Sequence, residues 1–151
     1  MTADGRAATT REIVVEELLP HSPSTVWKTL TTAELIGRWL MPNDFELSVG
    51  KKFTFRSKPM GDWDGLVYCE VLDVLPNERL AYSWRGGSAP GSKVPPLDSV
   101  VTWTLTAVDG GTRLRLVHSG FRSPENDMAF NAMSPGWGQV MASIGRVAAE
   151  G

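Results

Sequence analysis

The chain predicts an α+β domain: a curved antiparallel sheet of about six to seven strands wrapped around a long C-terminal helix, with two short helices after the first strand. Two observations carry this. Apolar and polar residues alternate with period two in several segments between residues 53 and 118, as they do in strands with one buried and one wet face. In the last stretch, Trp137, Val140, Met141, Ile144 and Val147 fall three or four apart, which makes a single apolar helical stripe.

Each element has its own local cause. Residues 12–19 are short and β-branched, a first strand ended by Pro20. Ser22-Pro23 supplies an N-cap and a proline for the first helical turn, ahead of Val26, Trp27 and Leu30. Thr31 through Glu34 fits a capping box for a second short helix, which Gly37 would close. Arg38-Trp39-Leu40-Met41-Pro42 follows as a stiff exit. Phe53 and Phe55 alternate with Lys52, Thr54 and Arg56 after a turn at Gly50. Residues 61–65 read as a turn with Trp63 at its tip, flanked by Asp62 and Asp64 as solvated carboxylates. Residues 66–75 form a long strand, Pro76-Asn77-Glu78 reverses the chain, and Leu80, Tyr82 and Trp84 share one face of the next strand.

A Gly- and Pro-rich loop over residues 86–96 precedes the last hairpin. There Val101, Trp103, Leu105 and Ala107 point one way, and after the Asp109-Gly110-Gly111 turn so do Leu114, Leu116 and His118. Ser123-Pro124 opens a short helix to Asn131. Ser134-Pro135 repeats the cap-and-proline signature and argues for a fresh helix start, with a kink as the alternative. A helix over residues 135–149 would span about 22 Å, the width of five to seven strands about 4.8 Å apart.

At 151 residues the chain fits one domain, over residues 11–151, after a disordered lead-in over residues 1–10. Lys and Arg number 15 against 17 Asp and Glu, a net charge of −2, which lacks the basic surplus of a nucleic-acid binder. No run approaches the ~20 apolar residues of a membrane span. Residues 1–10 lack the apolar stretch of a signal peptide, so a cytoplasmic protein is expected. Cys69 is the only cysteine, which excludes an intramolecular disulfide and fits a small buried hydrophobe.

The aromatic load points to a site. Six Trp fall mostly on inward faces, and a sheet gripping one helix leaves a hollow suited to an apolar or aromatic small molecule. The expected lining is Trp39, Phe53, Phe55, Trp63, Val67, Cys69, Trp84, Trp103, His118, Phe121, Trp137 and Met141. Trp27 and Trp103 also suit a plain core, whereas Trp39, Trp63, Trp84 and Trp137 lie near loops, strand ends or helix starts.

His118 is the sharpest polar candidate and a weak catalytic one. Alternation aims it inward, where it could orient a ligand or move a proton; the plain alternative is a bond to a backbone carbonyl or water. Ser119 is its neighbour on a strand and so points to the other face. Glu70 and Asp73 are the nearest carboxylates the fold could bring up, with Glu70 outward because Val67, Cys69 and Val71 form the inward set. Two His and one Cys without close spacing give no metal signature, and Arg85-Gly86-Gly87-Ser88 lacks a phosphate-cradle fingerprint. No cofactor is expected.

Val26-Trp27 with Leu30-Thr31, Arg38-Trp39, Pro42, Gly50-Lys-Lys-Phe53 and Gly65-Leu-Val67 open a series of short motifs. It continues through Leu75-Pro-Asn-Glu-Arg-Leu80, Tyr82, Trp84, Gly111-Thr-Arg-Leu114, His118-Ser-Gly-Phe121 and Gly136-Trp137. In this order the series resembles the START-like (SRPBCC) superfamily, in the branch resembling the C-terminal domain of the heat-shock-protein-ninety ATPase activator. The resemblance covers residues 12–149. It implies the helix-grip fold, a cavity between sheet and long helix, and in many members a hydrophobic or aromatic metabolite. It also implies that direct chaperone stimulation belongs to larger proteins with a further N-terminal domain.

Three functional classes follow: a domain that holds a small molecule, an enzyme of cyclase, hydrolase or isomerase type with His118 as acid or base, and a chaperone-associated or stress-response protein. Association into a homodimer is left open.

Overall fold

Alternation sets the sheet. The computed structural model of the protein describes residues 10–61, 63–93 and 97–150. In chain order its elements are β1 Thr10–Leu19, α1 Pro23–Thr31, α2 Ala33–Trp39, β2 Lys52–Arg56, β3 Leu66–Leu75, β4 Arg79–Gly86, β5 Asp98–Val108, β6 Gly111–Arg122 and α3 Asp127–Glu150. The strands form one six-stranded sheet in the order β1-β6-β5-β4-β3-β2, with every pairing antiparallel. The expected α+β helix-grip arrangement is the one observed. Of the expected lead-in over residues 1–10, only Thr10 is among the described residues, where it begins β1 opposite Arg122. Asp62 and residues 94–96 of the Gly- and Pro-rich loop also lie outside the described residues.

The inward face carries Phe53 and Phe55 of β2, Val67, Cys69 and Val71 of β3, and Leu80, Tyr82 and Trp84 of β4, all buried. Val101, Trp103 and Leu105 of β5 and Leu114, Leu116 and His118 of β6 complete it. Ala107 is exposed, because the β5–β6 hairpin runs past the end of the core. At that hairpin the chains close tightly: a Cβ on Gly111 would stand 2.0 Å from the Leu19 carbonyl oxygen, so only glycine fits.

Helix α1 starts as its sequence directs, with the Ser22 hydroxyl accepting from the Thr25 N–H at 3.3 Å and Pro23 in the first turn. The capping box expected at residues 31–34 does not form. The Thr31 and Thr32 hydroxyls donate back to the Trp27 and Lys28 carbonyls at 2.7 and 2.8 Å, while Glu34 pairs with Arg38 one turn on. Gly37 lies inside α2 rather than closing it, and the helix ends where the Leu40 N–H donates to the Ile36 carbonyl at 2.8 Å.

The largest departure from expectation is α3. Instead of a short helix to Asn131 and a new start at Ser134-Pro135, one helix of 24 residues runs straight through Pro135. At ~1.5 Å per residue it is about 36 Å long, well beyond the width of the sheet. An interior proline ordinarily costs about 3 kcal/mol and each glycine about 1 kcal/mol, and Pro135, Gly136 and Gly138 stand together here. Packing offsets the cost from Trp137 onward: Trp137, Met141, Ile144, Val147 and Ala148 are buried against β1, β6, α1 and α2. Before Pro135 the helix has no buried residue, and Met128 is 76% exposed.

Candidate functional site

The residues expected to line a hollow are brought together, and they meet each other. Phe53 and Phe55 stand 5.5 Å apart by ring centroid, Phe55 and Trp84 5.3 Å, and Trp84 lies 5.5 Å from both His118 and Trp137. His118 continues to Phe121 at 4.6 Å, and Trp137 to Trp103 at 5.9 Å, which in turn packs edge-on to Trp39 at 5.6 Å. Most of these pairs are edge-to-face, the arrangement aromatic quadrupoles prefer. Val67, Cys69 and Met141 are buried in the same core. Trp63 packs at the edge of this core: it is half-buried and folds back so that its indole N–H donates to the Leu66 carbonyl at 2.7 Å. Between sheet and α3 these rings contact one another. Two surface concavities lie outside this cluster. One of about 420 Å³ runs between Pro23, Leu75 and residues 104–107, and one of about 310 Å³ lies beside Tyr68 and residues 85–88.

Three polar side chains sit inside this aromatic wall. The Trp137 indole Nε1–H donates to His118 Nδ1 at 3.0 Å. His118 Nε2 lies 2.8 Å from Ser99 Oγ, which is itself 2.8 Å from the Trp84 carbonyl oxygen. An indole N–H only donates, so Nδ1 must be the acceptor and a neutral imidazole then carries its proton on Nε2. The order is therefore fixed: Trp137 to His118, His118 to Ser99, Ser99 to the Trp84 carbonyl. Every group in it is satisfied, with His118 0% and Ser99 4% exposed.

This polarity decides the chemistry. For His118 to activate Ser99, Nε2 would have to take the hydroxyl proton; here Nε2 already holds a proton and points it at Ser99. Burial pushes the imidazole from 6.5 down to about 3, so it stays neutral at physiological pH. Among the described residues no carboxylate is bonded to it. Asp73 pairs with Arg79 on the surface, and the Glu70 backbone N–H donates to Ser83 Oγ at 2.8 Å. Burial likewise pushes the Cys69 thiol and the Tyr82 phenol up, which keeps both neutral. As arranged, the trio can position a polar group but does not form a nucleophile. Among the described residues, no group of three or more His, Cys, Asp and Glu is placed to hold a metal ion, and no helix is long and apolar enough to cross a membrane.

Four contributors escaped the sequence. Ser99 shares the parity of Val101 and Trp103 and so faces inward, a signal available in the alternation if it is carried two residues further back. Alternation puts Tyr82 on the inward face, but nothing in the sequence marks its hydroxyl, which accepts the Trp103 indole N–H at 3.0 Å. Phe45 packs 5.0 Å from Phe53 out of a loop that has no period to read. Phe130 covers Phe121 at 5.4 Å from the first turn of α3.

Comparison with known proteins agrees with this architecture. No curated protein matches the chain. Among solved structures, protein MLL2253 from Mesorhizobium loti is 39% identical, with a TM-score of 0.81 over 93% of this chain and 98% of that one. CalU16 from Micromonospora echinospora is 22% identical, with a TM-score of 0.72 over 95% of this chain and 79% of its own. DynU16, from the dynemicin biosynthetic locus, is 23% identical, with a TM-score of 0.70 over 89% of this chain but only 46% of its own. The model of one family, described as Activator of Hsp90 ATPase homolog 1-like protein, matches residues 20–149, and the chain belongs to that family, in the START-like superfamily.

Proposed function

We propose that the protein holds an apolar, aromatic small molecule between the sheet and α3, in space that the Trp84, His118, Phe121 and Trp137 rings occupy when no ligand is bound. The observation that carries this is the composition of that space. Its walls are aromatic and its few polar groups, on His118, Ser99 and Trp137, are clustered and oriented, as in a small-molecule site. The dynemicin locus that gives DynU16 its printed description is a biosynthetic setting, and it agrees with a small-molecule role for a domain of this fold. The same reading makes this a cytoplasmic protein that needs no metal or cofactor, and the ligand is its principal partner.

The test is a titration with a broad set of aromatic compounds, followed by Trp fluorescence. The reading predicts a saturable change with at least one of them; a flat response across the set contradicts it. His118→Gln should then weaken binding several-fold, the ~0.5–1.5 kcal/mol of one hydrogen bond. A substrate whose conversion falls ~100-fold or more in that variant, with binding intact, would instead establish an enzyme.

A further inference from the structure

The Trp137 indole occupies its place in an unusual way. It is a planar ring enclosed by Trp84, Trp103 and His118 at centroid distances of 5.5, 5.9 and 5.6 Å, and its only polar atom meets His118 Nδ1. The backbone that carries it is the weakest stretch of α3. Pro135 has no N–H to donate to residue 131, and Gly136 and Gly138 flank the tryptophan on both sides. The turns before it are held more lightly, by Phe130 on Phe121 at 5.4 Å, by the partly buried Ala129 and Met133, and by contacts nearer the surface. Arg11 reaches Asp127 at 3.1 Å with both side chains about 40% exposed, and its guanidinium lies 3.8 Å from the centre of the Phe130 ring. The turns after it are fixed by Met141, Ile144 and Val147.

Resting on the proposed ligand-holding role, we infer that Trp137 is a built-in stand-in for the ligand, and that the ligand is a neutral planar aromatic of about indole size bearing an N–H or O–H donor for His118 Nδ1. When α3 bends at residues 135–138 the indole leaves, and the vacated space keeps the shape of a flat ring. It also exposes an acceptor that burial would leave unsatisfied unless the incomer donates to it. An aromatic of the same shape without a donor leaves that acceptor bare and is rejected. A carboxylate is rejected too, because it brings charge into an aromatic wall and only acceptors to His118 Nδ1.

The probes are 2-naphthol and 2-methoxynaphthalene, of similar shape, only the first of which donates. Affinities are measured on the wild type and on Trp137→Phe, which keeps a ring in the helix but removes the competing indole donor. The wild type should bind 2-naphthol at least five-fold more tightly than its methyl ether, and Trp137→Phe should widen that ratio several-fold. Equal affinities for the two probes, or a ratio unchanged by Trp137→Phe, would overturn this inference while leaving the ligand-holding role standing. Binding of neither probe to either protein would also overturn this inference, and a flat response across the broad aromatic set as well would overturn the ligand-holding role. The bend has its own readout. Alanine fits at Gly136 and Gly138, where a Cβ meets nothing within 4 Å, so the double variant should fold and take up 2-naphthol several-fold more slowly. An unchanged association rate would overturn the route through α3.

Discussion

Met141→Asp should unfold the domain or come close to it. Met141 is 1% exposed, in the middle of the stripe by which α3 grips the sheet, and no cation among the described core residues faces it. The substitution removes a thioether from a packed interior, a loss of about 2–5 kcal/mol, and replaces it with a carboxyl that has no partner, which costs several kcal/mol more. Small domains are stable by only about 5–15 kcal/mol in all. Chemical denaturation of wild type and variant measures the difference directly. A midpoint unchanged within error would mean that α3 does not pack as described.

The second large effect concerns acid. Folding holds His118 neutral, with its value lowered by burial from 6.5 to about 3, while the unfolded chain protonates it near 6.5. Between those values the unfolded state binds the extra proton, so stability is fully present above about pH 6.5 and is lost as the pH falls toward 3. The loss is about 1.4 kcal/mol per pH unit, or roughly 2.5–3 kcal/mol at pH 4.5. In His118→Gln this titration is gone. Its deficit relative to wild type, whatever its size at pH 7, should therefore shrink by that amount at pH 4.5. Stability curves that run parallel from pH 7 to 4.5 would show that His118 titrates alike in both states.

How much of this the sequence made legible depends on what kind of signal each feature leaves. Alternation along β5 and β6 aimed Trp103, Leu116 and His118 inward, and the structure buries all three. Direction is all that alternation supplies. Whether inward rings meet or leave room depends on how far α3 stands from the sheet, a tertiary distance that alternation does not carry. Ser99 leaves little signal because it is the second residue of β5, straight after a Gly- and Pro-rich loop, where a strand is hardest to read. The Ser134-Pro135 signature is a sound local rule that lost to packing. Trp137, with its bond to His118, and the stripe that follows secure the helix on one side of the break, and Phe130 rests on Phe121 on the other. The failed cap at residues 31–34 has a smaller cause: threonine hydroxyls had carbonyls of α1 within reach and took those instead.

The central claim is that the aromatic interior around His118 and Trp137 receives the ligand. Proton–nitrogen correlation spectra of the indole and imidazole groups, recorded while 2-naphthol is added, test it most directly. The account predicts that the Trp137 indole N–H and the His118 ring nitrogens shift together and saturate at one ligand per chain, while the Trp63 indole, bonded outside the cluster to the Leu66 carbonyl, stays in place. If the Trp137 and His118 signals hold still up to the solubility limit of the naphthol, or only the Trp63 signal moves, the interior is simply a core.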